Sequence, residues 1–380
     1  MLQIYNEDKK RIATITNVSD LCIEKTLEYG DRKITFKYPR SDVFAEELKV
    51  ENYIRTKEDE YVIKSVSEDT ERNEYIAQLN IEELESKQFI SGFTSNEQMI
   101  KDTLTVAFKN TPWKIGTCEI TKKRTIQKDS QCNAWEVLKD CISTYRCEIK
   151  INSLEKTIDI YEKIGVDKGA YFMEDLNLKK LNRKTTSYDF FNVIIPLGKD
   201  DLSMSVGGKN YIENFQYTKK RITRIWKDER YTNVEALIED ATAKVEESSR
   251  PLVAYSADVY DLVKNNSVYK NVLDYDVGDY ITIISKEKKT RTKQRIVKLK
   301  EYPMSSQKNN VELSNARKTF VELQKSEADA AKQGAATAAK SSTYAISGRS
   351  KNVDIAPLLK EISDLRSRVE SMEKKGVDAT

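Results

Sequence analysis

Hydrophobic and polar positions alternate through much of the first ninety residues. Ile34, Phe36 and Tyr38 form one such series up to Pro39, and Tyr75, Ala77, Leu79 and Ile81 form another. Between them, Glu60-Tyr61-Val62-Ile63-Lys64-Ser65-Val66 reads as a further strand. Charged, turn-prone segments such as Tyr29-Gly30-Asp31 and Glu71-Arg72-Asn73-Glu74 act as separators. A period of two marks a half-buried β-surface. Several short strands at this spacing predict a small barrel or sandwich over 1–90.

The period changes over 91–185, a mixed α+β stretch. Ser95, with Gln98 three residues later, has the form of a capping box. Ile100, Leu104, Ala107 and Phe108 then share one helical face ahead of Pro112. Asn133 and Glu136 open a second helix in the same way, with Trp135, Leu138, Cys141, Ile142 and Tyr145 as its apolar stripe. Such a stripe is a core face. Cys147, Ile149 and Ile151, followed by Ile158 and Ile160, predict a hairpin turning at Asn152-Ser153.

The β pattern returns over 186–323. Val193-Ile194-Ile195-Pro196, Leu252-Val253-Ala254-Tyr255, Tyr280-Ile281-Thr282-Ile283-Ile284 and Arg295-Ile296-Val297-Lys298-Leu299 read as strands. One helix interrupts them, from Thr232 to Ser249, with Thr232 and Glu235 as its capping box. Leu237, Ile238, Ala241 and Val245 form its face, and Pro251 follows its end. The fold class read from these patterns is α+β, mostly β, and multi-domain.

From Ala328 to Ser350 the chain is rich in Ala, Ser, Lys and Gly, so 324–352 reads as a linker. A short heptad seam follows over 353–375. Ile355, Ile362 and Val369 fall at a, and Leu358, Leu365 and Met372 at d. Glu361 faces Arg366, and Arg368 faces Glu373, across a parallel neighbour. A single helix of this length is marginal in water, so the seam predicts a coiled coil and an oligomer. β-Branched a positions with Leu at d lean towards two strands, a preference the rest of the chain can override.

Composition narrows the function classes. The chain of 380 residues carries 64 basic and 61 acidic side chains, a balance that does not fit a dedicated nucleic-acid or membrane-surface protein. The strongest basic run, Lys286 to Arg295, sits between two expected strands, has no interleaved aromatics and contains Glu287, so it reads as a solvated hairpin loop. No apolar run is long enough to span a bilayer. The N-terminus lacks a signal-peptide layout, which predicts assembly in the cytoplasm. The absence of histidine excludes Ser-His-Asp and Cys-His catalysis and every His-dependent zinc site. Acidic clusters such as Glu58-Asp59-Glu60 and Glu82-Glu83 lack a metal-ligand arrangement. The five cysteines contain no Cys-x-x-Cys and read as reduced, mostly buried side chains. The twenty tyrosines fit strand surfaces and subunit contacts, and the three dispersed tryptophans disfavour a sugar-binding cleft. No catalytic residue, metal or cofactor is expected, while a carboxylate-only, lysine-based or metal-assisted enzyme and a Ca²⁺ or Mg²⁺ site stay open.

Several blocks in order carry a family resemblance. Asn133-Ala134-Trp135-Glu136-Val137-Leu138 and Cys147-Glu148-Ile149-Lys150-Ile151 come first, then Gly165-Val166-Asp167-Lys168-Gly169-Ala170-Tyr171-Phe172. Val193 to Asp200, Tyr211-Ile212-Glu213-Asn214 and Arg250 to Tyr255 follow. The most telling is Asp276-Val277-Gly278-Asp279-Tyr280-Ile281-Thr282-Ile283, followed by Arg295-Ile296-Val297, with Asp276, Gly278 and Asp279 as the motif residues. Over most of 1–320 the chain resembles the tail-associated hub proteins of long-tailed phages and prophages, the "prophage endopeptidase tail" family.

That resemblance implies a homotrimeric baseplate hub with two tube-type β-barrels per subunit, located at the virion tail tip. Its partners would be a distal tail protein ring, the tail tube and tape-measure protein, and a spike, fibre or receptor-binding protein at the C-terminus. Longer members continue into receptor-binding or wall-degrading regions, whereas this chain stops soon after the heptads. The expectation is therefore a structural, non-enzymatic hub of a phage or a phage-like bacteriocin. The alternative is a wall-active enzyme or glycan-binding tip protein on a similar scaffold.

Overall fold

The alternating series fold as antiparallel strands. The computed structural model describes residues 1–205, 207–260, 262, 274–286, 290–304 and 309–315. The linker and the heptad positions Ile355, Leu358, Ile362, Leu365, Val369 and Met372 lie outside the described residues. Arg32–Pro39 buries Ile34, Phe36 and Tyr38, and pairs with Arg72–Leu79, which buries Tyr75, Ala77 and Leu79. Phe36 and Tyr75 are cross-strand partners with ring centroids 5.2 Å apart, the kind of aromatic pair that fixes register. Glu60–Ser67 lies on the far side of Arg72–Leu79, followed outward by Tyr53–Arg55, Leu2–Tyr5 and Arg11–Ile15. Ile81 leaves the alternation and precedes a short helix, Glu82–Ser86.

This sheet continues directly into the second β-rich region. Ser19–Thr26 pairs with Arg32–Pro39 on one side and with Thr290–Glu301 on the other, through Ile23–Thr26 against Lys298–Glu301. Beyond Thr290–Glu301 come Asn309–Ser314, Leu252–Val259 and the edge strand Leu178–Thr186. Tyr280–Ser285 also pairs with Thr290–Glu301, and Tyr171–Met173 adds to it in parallel, giving 13 strands in all.

Among the described residues no closed barrel forms, which corrects the expectation of separate tube-type barrels as closed units. Closure would require the end strands of each block to meet. Instead, among the described strands, Arg11–Ile15 pairs only with Leu2–Tyr5, Leu178–Thr186 pairs only with Leu252–Val259, and Ser19–Thr26 is shared between the blocks. Alternation reveals a strand but not its neighbours.

The middle helices vary in how well their caps were foreseen. Ala134–Tyr145 opens with a reciprocal capping box: Glu136 N donates to Asn133 Oδ1 at 2.9 Å, and Asn133 N donates to Glu136 Oε2 at 3.0 Å. Its foreseen apolar face is buried. Ser95 caps nothing. It lies in strand Phe93–Met99, which pairs with Lys123–Lys128, and its hydroxyl bonds Thr103 at 2.8 Å, so the helix begins only at Ile100. The later helix, Val234–Ser248, is capped by Asn233, whose Oδ1 accepts from Ala236 N at 3.1 Å, while Thr232 bonds Glu97. Asn outranks Thr at this position. The run Lys286–Arg295 also differs from expectation, since Thr290–Arg295 belongs to a strand.

Among the described residues, four clusters of buried side chains hold these elements. The largest joins the first block to the middle helices and the hairpin Glu148–Asn152/Thr157–Tyr161. A second fills the second block around Phe172, Ile283 and Leu313. In the third, helix Val234–Ser248 covers a small sheet of Ile212–Glu213, Val193–Leu197 and Thr223–Lys227. The fourth is small, Leu27, Ile164 and Val297, and draws on all parts of the chain. All five cysteines are free, with Cys132, Cys141 and Cys147 buried. Among the described residues no helix is long and apolar enough to cross a membrane.

Candidate functional site

The motif residues Asp276, Gly278 and Asp279 form a turn that closes on itself. Asp276 N donates to Asp279 Oδ2 at 3.0 Å, Val277 N to Asp276 Oδ1 at 2.8 Å, and Asp279 N to Asp276 O at 3.1 Å. Short acidic side chains suit turns because they accept from nearby backbone amides. Gly278 sits at φ 93° and the facing Gly165 at φ 79°. A Cβ on Gly165 would lie 2.2 Å from the carbonyl carbon of Gly278, and a Cβ on Gly278 would lie 2.9 Å from Ile164 O. Both residues must therefore be glycine, for conformation and for space.

The buried Asp279 carboxylate staples the two loops. Its Oδ1 accepts from Val166 N at 2.8 Å, and Lys168 Nζ approaches Oδ2 at 2.9 Å. Tyr280 N then donates to Val166 O at 3.1 Å and carries the contact into the sheet.

Arg295 completes the junction. Its Nη1 and Nη2 each donate to one oxygen of Glu148 at 2.6 Å, a bidentate pair. Nε donates to Gly278 O at 2.8 Å, and Nη2 also donates to Ile164 O at 2.5 Å. Glu148 Oε2 further accepts from Ile164 N at 2.8 Å. The side chains of Arg295 and Glu148 are 11% and 2% exposed. The planar guanidinium supplies several donors at fixed angles, which lysine would not. The first block joins through Lys25, 3.3 Å from Asp276, and through Leu27 N donating to Val297 O at 2.9 Å.

A second charged joint ties helix Val234–Ser248 to the middle region. Arg124 donates from Nε to Asp240 Oδ2 at 2.9 Å and from Nη2 to Glu239 Oε2 at 2.7 Å. Tyr231 OH donates to the same Asp240 oxygen at 2.7 Å. Burial works against the Arg124 charge, but the hydrogen bonds to Asp240 and Glu239 outweigh it and hold the guanidinium protonated more firmly than usual. Burial, and then the Asp240 charge, push the Tyr231 hydroxyl well above its ordinary range. The other carboxylate oxygen of Asp240, Oδ1, is buried without a hydrogen-bond partner.

A third joint seats Glu60, which meets Arg55 Nε at 2.5 Å and Asn80 Nδ2 at 2.6 Å, while its backbone N–H donates to Ser153 Oγ at 2.8 Å. Neighbouring Asp59 meets Arg32 at 2.5 Å. Burial raises the Glu60 pKa, but the Arg55 hydrogen bond and the Lys9 charge prevail and hold it below the usual carboxylate range. Among the described residues no cluster of three or more Cys, Asp or Glu side chains is arranged to hold a metal ion.

The structure thus gathers the three motif residues into one turn and adds Gly165, Lys168, Glu148 and Arg295. The family-like blocks of the sequence contain all four of these residues, but not their meeting. Nothing along the chain pairs Glu148 with Arg295 or Arg124 with Asp240.

Three family models match the chain in tandem: the prophage endopeptidase tail N-terminal domain over 2–82, the prophage endopeptidase tail domain over 91–160, and prophage endopeptidase tail over 166–324. The protein is phage-tail-related. It belongs to the prophage endopeptidase tail family.

Solved structures share the fold. Prophage tail protein gp18 from Listeria monocytogenes EGD-e is 16% identical, with 87% of this chain and 99% of that chain covered at a TM-score of 0.63. The tail protein from Neisseria meningitidis MC58 is 9% identical, with 83% and 96% covered at 0.57. The 43 kDa tail protein of prophage MuSo2 from Shewanella oneidensis is 13% identical, with 83% and 98% covered at 0.57. No curated protein matches the chain in sequence. The Arg295 junction draws on all three matched segments, through Lys25 and Leu27, Glu148, and the Asp276–Arg295 region.

Proposed function

We propose that the protein is a structural hub at the tip of a phage-type tail, a homotrimeric adapter between a sixfold tube ring and a threefold tip. The observation that carries this reading is the continuity of the sheet. Each chain sets two blocks of antiparallel strands side by side, joined at Ile23–Thr26 and Lys298–Glu301. Three copies then present six strand blocks around an axis, and closed cyclic symmetry is the common way for such interfaces to be satisfied. On this reading the neighbours are a distal tail ring, the tube and its tape-measure protein above, and a spike or fibre at the C-terminal end. The heptad seam Ile355–Met372 registers the three chains along that axis.

The same reading makes the protein non-catalytic despite the family's name. Its strongly held charges, Glu148, Arg295, Arg124, Asp240 and Glu60, are engaged in joints between parts of the chain. Native mass spectrometry of the purified full chain tests the assembly: a trimer is expected, and a persistent dimer would overturn the hub. A turbidity assay on purified cell walls tests the chemistry, with no clearing expected.

A further inference from the structure

Beside the second charged joint lies a cleft of about 540 Å³, between residues 119–122, 145–146 and 162–163 on one side and helix Val234–Ser248 on the other. Its wall carries six acidic side chains against three basic ones. Several of these charges are committed: Glu239 to Arg124 and Lys122, and Glu247 to Arg146. Glu119, Glu162 and Glu246 make no ion pair among the described residues, and Lys163 is the one cation of the wall in the same position. Asp240 forms part of the same wall. It is 3% exposed, and its Oδ1 is buried with no donor. A buried carboxylate oxygen without a donor is costly, and an N–H donor bearing positive charge answers it best.

The chain carries a matching surface elsewhere. The edge strand Leu178–Thr186 contains Lys179, Lys180, Arg183 and Lys184 and no acidic residue. Lys179, Lys180 and Arg183 are exposed and make no ion pair among the described residues, Arg183 lying over the Tyr255 ring at 6.0 Å. Lysines on an edge strand oppose main-chain pairing with another edge, so a partner would meet this strand through its side chains.

We propose that the acidic cleft is a receptor for ammonium and guanidinium groups, and that its occupant is the basic edge strand of a second copy of this chain. One patch then meets a different patch on the next copy, the heterologous contact from which a cyclic ring is built. This rests on the trimer proposed above and specifies its interface.

The test uses the full chain in three forms: Glu162→Lys with Glu246→Lys, Lys179→Glu with Lys180→Glu, and all four changes together. These positions are exposed, and thermal melts of each form confirm folding. Each double variant is expected to raise the midpoint concentration of trimer assembly by about tenfold or more, with loss of its salt dependence, and the quadruple variant to restore it, because complementarity returns at every interface. A wild-type trimer whose midpoint is unchanged in both double variants, or a quadruple variant no better than the doubles, would overturn the interface while leaving the trimer standing. A wild-type chain that never assembles would overturn both.

Discussion

The Arg295 and Arg124 joints use the same chemistry and end in different states. The acceptors engaged by Arg295 and the Asp279 turn all meet donors: both oxygens of Glu148, the carbonyls of Ile164 and Gly278, and both oxygens of Asp279. Around Arg124 the partner Glu239 is 56% exposed, and Asp240 keeps one oxygen without a donor. The first joint is a completed internal seam. The second leaves one buried carboxylate oxygen of Asp240 without a donor. A charged pair thus does not reveal its role by being buried; the satisfaction of its remaining lone pairs does.

Arg295→Leu should break this comparison most severely. It strands the Glu148 carboxylate and should destabilise the chain by about 3–5 kcal/mol in urea denaturation. Arg295→Leu combined with Glu148→Leu should recover much of that loss, because no buried charge is then left alone. A single variant no worse than the double would show the pair to be dispensable. Gly165→Ala comes next. A side chain there is forced into positive φ and against the Gly278 backbone, for which about 1–3 kcal/mol is expected.

At the open joint, Asp240→Asn keeps the Oδ2 acceptor and replaces the oxygen that has no donor. The expected cost is about 1–2 kcal/mol, since Arg124 retains Glu239. A loss equal to that of Arg295→Leu would erase the distinction between the joints. The smallest effect should appear in acid. Glu60 and Glu83 have folded pKa values held below 4.5, Glu83 by Lys156 against the opposing effect of burial. Their stabilisation is present above that ordinary value and is lost as pH falls through the lower folded values. Unfolding midpoints should decline below about 4.5, and Glu60→Gln should flatten the decline.

Sequence revealed the elements better than their company. The Ile34/Phe36/Tyr38 and Tyr75/Ala77/Leu79 series, the Asn133 capping box and the Ile149–Ile160 hairpin were legible because period and local hydrogen bonding act within a few residues. Ser95 misled because strand pairing with Lys123–Lys128, a long-range term, overrode a local cap. Asp276, Gly278 and Asp279 were legible as a motif, and all three reach outward, Asp276 to Lys25, Asp279 to Val166 and Lys168, and Gly278 to Arg295. The joining of two β regions into one open sheet was not legible, since no pattern within Ser19–Thr26 names Lys298–Glu301 as its neighbour.

That last pairing has a consequence for biosynthesis. As the chain leaves the ribosome, the first block can pair all its strands except along Ile23–Thr26, whose outer edge waits for Lys298–Glu301. Translation at about 5–20 residues per second leaves that edge exposed for on the order of tens of seconds. During this interval the nascent chain carries a bare strand able to pair with any other nascent copy. Expression conditions that slow elongation late in the message should therefore lower soluble yield, and a separately supplied second block should raise it by covering the waiting edge.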